Sequence, residues 1–213
     1  RISLPMGDRT VVAGAYRLDV GRVPLFLLDT DLPENAPRDR KLVDVLYSGD
    51  RDMRIRQEIL LGIGGWRLLQ AMNIVPAVYH LNEGHAAFLS LERMVERIHA
   101  GESFKQAIKS VANTSVFTTH TPVPAGIDLF DTGLMYQYFR EYCDEAGIGF
   151  DRLLSLGRRN ASDSGESFSM AISALQTSSY RNAVSALHRQ VSQEMWSDLY
   201  PELPISEVPI SHV

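Results

Sequence analysis

The sequence is poor in cysteine, in lysine and in long apolar runs, and each shortage narrows the classes of protein it can belong to. Among 213 residues there is one cysteine, Cys143, so no disulfide forms within the chain and a reducing compartment, the cytoplasm, is predicted. No apolar run reaches about 18 residues, so we expect no membrane span and no signal peptide. Basic residues number 21 against 26 acidic ones, and the net charge of −5 argues against nucleic-acid binding.

What the chain does have is the composition of a folded globular protein, with 45% hydrophobic and 22% charged residues. It begins at Arg1 and stops in the apolar stretch EVPISHV. We therefore expect a piece of a longer protein, in which residues 1–213 form a single partial domain.

Strand-like and helix-like segments alternate along the chain. The helix predicted for 53–73 contains glycines at 62, 64 and 65, which we interpret as points where another backbone approaches closely. The helix predicted for 178–200 has an apolar stripe of Val184, Leu187, Val191 and Met195. The predicted strands are 10–20, 22–28, 76–81 and 116–121, and the other predicted helices are 83–100, 103–113 and 133–147. This alternation predicts an α/β fold with a largely parallel sheet.

Polar side chains follow two of the predicted strands. Asn82, Glu83 and His85 come after strand 76–81, and His120 comes after residues 116–119. Ligands of open α/β sheets bind beyond the carboxyl ends of the strands, and these side chains offer directional donors and acceptors suited to sugar hydroxyls. The alternative is that Asn82 caps the following helix and His85 packs inside the protein.

A metal site is an alternative hypothesis for the same segment. His80, Glu83, His85 and His120 are ligand types, but HLNEGH lacks the spacing that places two imidazoles on one helical face, so we expect no metal.

Three other features have simpler structural interpretations. Asp50 precedes a predicted helix and is expected to cap it, although it could reach toward a ligand. Cys143 has no positive neighbour that would lower its pKa, so a structural role is predicted. Trp66 and Trp196 lie in helical patterns and are expected to be buried.

Several long stretches resemble the bacterial form of α-glucan phosphorylase, the group that includes glycogen, starch and maltodextrin phosphorylases. They are IRQEILLGIGGWRLLQAM (55–72), VYHLNEGHAAFLSLERM (78–94) and VFTTHTPVPAG (116–126), with further likeness in 27–58 and 182–196. The resemblance covers nearly the whole chain. It implies a two-domain glycosyltransferase of the GT-B type, of which this chain is the middle and later part of the Rossmann-like N-terminal domain.

The resemblance also implies an activity. The family transfers the terminal α-1,4-linked glucose of a glucan or maltodextrin to inorganic phosphate, giving glucose 1-phosphate with retained configuration. Its pyridoxal phosphate is held by a lysine of the C-terminal domain, and Lys41, Lys105 and Lys109 do not lie in sequence like that lysine's motif. The isolated chain is therefore expected to be inactive, and the full-length protein is expected to be a homodimer.

Individual roles follow from the same resemblance. His120 matches the family histidine that contacts the reacting glucose, and Asn82, Glu83 and His85 match the group on the acceptor side of the glucan channel. Asp50, with Tyr47 nearby, matches a mobile gate. Ile127 stands where the family usually has histidine, which puts one polar contact in doubt.

Two other functions remain open from the sequence. One is a non-catalytic glucan-binding or assembly module, which should expose aromatic platforms. The other is a glycosyltransferase that uses a nucleotide sugar.

Overall fold

The structure is a computed structural model that describes residues 1–46 and 50–213. Its strands are β1 Ile2–Pro5, β2 Thr10–Val20, β3 Val23–Asp29, β4 Tyr79–Asn82, β5 Ser115–Thr119, β6 Leu129–Phe130, β7 Phe168–Ser169, β8 Tyr180–Ala183 and β9 Ser211–His212. Its α-helices are α1 Pro37–Arg40, α2 Arg51–Ile59, α3 Gly65–Ala71, α4 Phe88–His99, α5 Phe104–Ala112, α6 Thr132–Ala146, α7 Phe150–Ser155, α8 Met170–Gln176 and α9 Ala186–Met195.

A parallel sheet of order β4-β5-β8-β9 forms the centre of the fold. Helices α4 and α5 connect β4 to β5, and α9 connects β8 to β9, which is the connection that parallel strands require. The predicted α/β fold with a parallel sheet flanked by helices is confirmed. Because Asn82 pairs in register with Thr118, the chain leaves β4 and β5 at the same edge of the sheet.

The first strands form a separate antiparallel sheet of order β1-β2-β3. The strands predicted for 10–20 and 22–28 are confirmed as β2 and β3, and Gly21 between them has φ 61°, a conformation that glycine adopts without a steric penalty. A third, two-stranded sheet joins β6 to β7.

The helix predicted for 53–73 is present with one irregularity. Helices α2 and α3 are joined by a π-helical segment, Leu60–Gly64, which carries two of the three glycines. A Cβ on Gly62 would lie 2.7 Å from the backbone nitrogen of Leu89, and one on Gly64 would lie 3.2 Å from the Leu28 side chain. The expected close approach of another backbone is confirmed at Gly62, whereas Gly64 faces side chains and a Cβ on Gly65 would meet open space.

Local capping signals placed the next helices correctly. Ser103 and Gln106 form a capping box at the start of α5. Helix α6 ends at Gly147, whose φ of 68° gives the left-handed C-terminal cap.

The long helix predicted for 178–200 is wrong. Residues Tyr180–Ala183 form strand β8 between β5 and β9, and the helix starts only after Ser185, whose side chain accepts from the His188 backbone N–H. Val184 and Leu187 are 42% and 72% exposed, so the predicted apolar stripe does not face the core there. Pairing with a buried strand outweighed the local helical period.

The apolar core lies around the parallel sheet and includes Phe88, Phe117, Phe139 and Phe168. Trp66 and Trp196 are buried, as predicted. Cys143 is buried too, and burial raises the pKa of its thiol to about 12, which fits a structural role. Among the described residues, no helix combines the length and apolar character needed to span a bilayer.

Candidate functional site

A polar cleft of about 670 Å³ lies where the chain leaves β4 and β5. Four of the residues predicted from the strand ends meet there, since Asn82, Glu83, His85 and His120 all line it. The other lining residues are Arg51, Arg54, Thr121, Ala125, Gly126, Ile127, Asp128, Leu129 and Phe130. The cleft therefore occupies the position at which open α/β sheets bind ligands.

Asn82 and His120 are joined directly across the two strand ends. The Asn82 Oδ1 atom accepts from His120 Nε2, so Nε2 is the protonated ring nitrogen in this pairing. The open alternative in which Asn82 caps the next helix is not what the structure shows, because Glu83 caps the 3₁₀ turn Gly84–Ala86 instead.

Glu83 has an unusual backbone and a fully engaged carboxylate. Its φ of 71° and ψ of 174° fall in a region used almost only by glycine, at a cost of about 1–3 kcal/mol. Its Oε2 accepts from the His120 N–H at 2.7 Å, the Thr121 N–H at 2.9 Å and Thr121 Oγ1 at 3.0 Å. Its Oε1 accepts from the Gly84 N–H at 3.2 Å.

Three of the cleft residues, Arg54, His85 and Asp128, form a cluster of charged side chains with Glu58, which we call the charge cluster. Arg54 Nη2 lies 2.6 Å from Asp128 Oδ2 and 3.0 Å from Glu58 Oε1. His85 Nδ1 lies 3.2 Å from the same Asp128 oxygen and 3.3 Å from the same Glu58 oxygen. Two cationic groups thus share two carboxylates, and Glu58 Oε2 is buried without a hydrogen-bond partner among the described residues.

These contacts shift the pKa of each member of the charge cluster that titrates. Burial raises the pKa of Glu58 to about 8, against the opposing hydrogen bond from His85. The hydrogen bond to Asp128, followed by that to Glu58, raises the pKa of His85 to about 9. Burial acts to raise the pKa of Asp128, but hydrogen bonds from His85 and Arg54 outweigh it and hold that pKa below its usual range. At neutral pH, His85 and Glu58 therefore both carry a proton, whereas Asp128 is ionised.

A metal ion does not suit this cluster, although the ligand atoms of Glu58, His85 and Asp128 lie within 4.8 Å of one another. Arg54 Nη2 approaches all three, including His85 Nδ1 at 3.1 Å, so the guanidinium already fills the place of a cation. His80, one of the four candidate metal ligands from the sequence, is engaged elsewhere, because its Nε2 lies 2.7 Å from Thr118 Oγ1.

The structure gives a contact for one of the two predicted gate residues. Asp50 caps α2 by accepting from the Asp52 N–H at 3.1 Å, which confirms the structural interpretation of that residue. Tyr47 is outside the described residues. Ile127 lines the cleft and packs against the core, so it supplies an apolar contact where the resemblance implied a polar one.

Arg54, Glu58 and Asp128 were not predicted from the sequence. Arg54 and Glu58 are four residues apart on a predicted helix and form an ion pair on one face, which a charge-spacing search could have found. Asp128 follows the glycine and isoleucine of the PAGID segment, and no spacing rule connects it to a residue 74 positions earlier.

The fold and the cleft define a class: an α/β protein with a polar ligand site at the ends of parallel strands. Relatives of known name narrow this class. The chain is 46% identical to the maltodextrin phosphorylase of Thermococcus litoralis and 42% identical to the glycogen phosphorylase of Mycobacterium tuberculosis, and both alignments cover all of this chain. This chain is also 36% identical to the glycogen phosphorylase of Aquifex aeolicus, in an alignment that covers 97% of this chain.

The chain therefore matches a fragment of the phosphorylase family. It spans 25% to 29% of the length of these three relatives. No family model matches it.

Proposed function

We propose that this chain forms the glucan-facing wall of the active-site cleft in an α-glucan phosphorylase. In the full-length enzyme, the terminal α-1,4-linked glucose would pass to inorganic phosphate and leave as glucose 1-phosphate with its configuration retained. The observation that carries the proposal is the meeting of Asn82, His85 and His120 in one cleft within a chain whose named relatives are phosphorylases.

The cleft has the chemistry that a sugar requires. Imidazole, carboxamide and guanidinium groups provide directional donors and acceptors, and those of Asn82, His120 and Arg54 are each held by a neighbour. A binding group held before the substrate arrives contributes more to orientation than a mobile one does. We assign His120 to the reacting glucose, where it would orient hydroxyls and favour a positively charged transition state. Asn82 and His85 are assigned to the acceptor side.

The remaining machinery is assigned to parts of the enzyme that this chain does not include. The family's pyridoxal phosphate requires a lysine, and Lys41, Lys105 and Lys109 are all exposed and none lines the cleft. The residues of this chain therefore do not fit the cofactor. We propose that a second domain of a GT-B architecture holds the cofactor and closes the cleft, with Tyr47 and Asp50 at its entrance excluding water. Two such enzymes would form the dimer.

The test uses the 213-residue chain and a chimera in which it replaces the matching quarter of the Thermococcus litoralis enzyme. With maltodextrin and phosphate, the chimera should form glucose 1-phosphate and the isolated chain should not. His120→Ala should lower the chimera's kcat about 100-fold or more, because one preorganised group at a transition state contributes about 3 kcal/mol. His99→Ala, on an exposed position of α4, is the matched control.

Unchanged turnover in the His120→Ala chimera would contradict the role given to His120. Robust turnover by the isolated chain would contradict the assignment of the remaining machinery to a second domain. A non-catalytic glucan-binding module is the alternative function, but the two tryptophans it would use as platforms are buried. Such a module would bind maltoheptaose tightly by itself, whereas half of a cleft should bind it weakly.

A further inference from the structure

Glu83 keeps a backbone conformation that glycine would adopt without strain, and it does so while its side chain is fully used. Its φ of 71° is one of two positive values at non-glycine residues of the described chain, the other being Asn73. Asparagine is enriched at positive φ, mostly in the left-handed helical region, whereas Glu83 with ψ 174° lies in a region that is nearly exclusive to glycine. A strained residue at the edge of a ligand cleft indicates that its side chain supplies something glycine cannot.

The contacts of Glu83 show what that is. Its backbone N–H continues the sheet by donating to the Thr118 carbonyl at 2.9 Å, and its carboxylate then crosses to the two residues that follow β5. The His120 and Thr121 N–H groups both donate to Oε2, as does the Thr121 hydroxyl. The carboxylate thus accepts from both backbone N–H groups that directly follow β5.

The same contacts leave little room for a sugar on Glu83. An ionised carboxylate offers about four lone-pair sites, and Oε2 accepts from three donors while Oε1 accepts from the Gly84 N–H. Gly84 in turn packs closely on the α8 backbone, since a Cβ there would lie 3.0 Å from the Ala171 nitrogen. The segment that carries Glu83 is thereby fixed to the core.

We propose that Glu83 is a positioning residue that fixes the backbone of His120, so that the imidazole reaches Asn82 and presents one defined face to the glucan. This assignment deepens the proposed function and rests on it. Glu83 acts through His120 and not on the sugar itself. The strain in its backbone is tolerated because the carboxylate at this position orders the loop that carries the sugar-contacting histidine.

The experiment compares Glu83→Gly with Glu83→Ala in the 213-residue chain. Both variants remove the carboxylate, but only glycine relieves the strained backbone, so the alanine variant should be the less stable of the two. Long-range ¹H–¹⁵N spectra report the tautomer of His120, hydrogen exchange reports the His120 and Thr121 amides, and titration with maltoheptaose reports affinity. Glu96→Gln, at an exposed position of α4, is the control for loss of a carboxylate.

We expect wild type and Glu96→Gln to show His120 protonated at Nε2. Both Glu83 variants should show a mixture of His120 tautomers. Their His120 and Thr121 amides should exchange at least 10-fold faster than in wild type. Maltoheptaose should bind about 10-fold more weakly, and the loss should be equal in the two variants. Glu83→Asp, one methylene shorter and still charged, should restore part of the protection.

Two results would overturn the proposal: a wild-type tautomer and affinity in Glu83→Gly, or an affinity loss that follows stability and is much larger for alanine than for glycine. Undetectable binding of maltoheptaose by the wild-type chain would fit the half-cleft of the proposed function, whose own test is the chimera. The tautomer and exchange measurements still decide the role of Glu83 in that case, because neither needs the sugar.

Discussion

Two hollows of similar volume, about 670 and 610 Å³, lie on either side of the charge cluster and have opposite chemistry. The first is the polar cleft. The second, which we call the apolar groove, is lined largely by aliphatic side chains, among them Leu27, Leu61 and Leu68. Arg54 and His85 line both. The two surfaces thus share a wall and differ in what their other residues can do.

The difference shows how each surface is maintained. In the cleft, polar groups hold one another, as Asn82 holds His120 and Glu83 holds the following loop, so the site is shaped before a ligand binds. The groove is lined mostly by aliphatic side chains, which gain free energy by covering apolar area. Exposed apolar surfaces of this kind are typical of sites that another surface covers. Mutations in the shared wall, at Arg54 and His85, therefore test whether the polar cleft and the apolar groove depend on each other.

Replacing Arg54 should have the largest effect, because it is part of both hollows. Arg54→Met leaves the Glu58 and Asp128 carboxylates with His85 as their remaining cationic partner in the cluster, and removing one member of a buried ion pair costs about 3 kcal/mol. Urea unfolding measures the loss. Arg97→Met is the control, since Arg97 is exposed and its contact with Glu102 is 3.7 Å, so its change should stay within about 0.5 kcal/mol.

If Arg54→Met costs no more than Arg97→Met, the cluster is not a structural wall and the comparison between the two hollows fails. A large cost with unchanged binding in both hollows would show instead that the wall supports the fold without shaping either surface.

The charge cluster should also make stability fall as the pH rises. The pKa values of Glu58 and His85 are both raised in the folded state, so folding is linked to proton uptake. The contribution of His85 is complete below its ordinary pKa of 6.5 and is lost as the pH rises through about 9. For Glu58, the folded state is favoured below 4.5 and this advantage is lost as the pH rises through about 8. Each proton contributes a slope of about 1.4 kcal/mol per pH unit within its window.

Other groups titrate in the same range, so the measurement is a difference between two proteins. Glu58→Gln mimics the protonated carboxyl at every pH. Its unfolding free energy should match that of wild type near pH 4.5 and exceed it increasingly toward pH 8. A difference that stays constant over that range would show that Glu58 does not hold a proton in the folded chain.

Much of the fold could be predicted because its signals are local. Ser103 with Gln106 marks the start of α5, and Gly147 marks the end of α6, through bonds within a few residues. Strand β8 was missed because its identity depends on pairing with Phe117 and its neighbours, more than 60 positions earlier in the chain. The helical period that suggested a continuous helix is real only from Ala186 onward.

The residues of the site also divide into those with a local sequence signal and those that depend on distant contacts. Asn82 and His120 could be predicted because each lies where a strand ends, and parallel strands bring their ends together. Asp128 could not, since its partner Arg54 lies on a helix far away in sequence and only packing brings them within 2.6 Å. The role of Glu83 also required coordinates, because a residue with φ 71° has no distinctive sequence signature.

The smallest expected effect separates the groove from the cleft. Leu61 is 51% exposed and lines the groove, so Leu61→Gln should change stability by less than about 0.5 kcal/mol. It should weaken binding of the dye anilinonaphthalene sulfonate, whose aromatic rings bind apolar surface, about fivefold, because losing a leucine contact costs about 1 kcal/mol of apolar burial. Val184→Gln, at a similarly exposed position outside both linings, should leave dye binding unchanged. Maltoheptaose affinity should be the same in all three proteins, and a parallel loss of sugar binding in Leu61→Gln would mean that the charge cluster transmits changes from one hollow to the other.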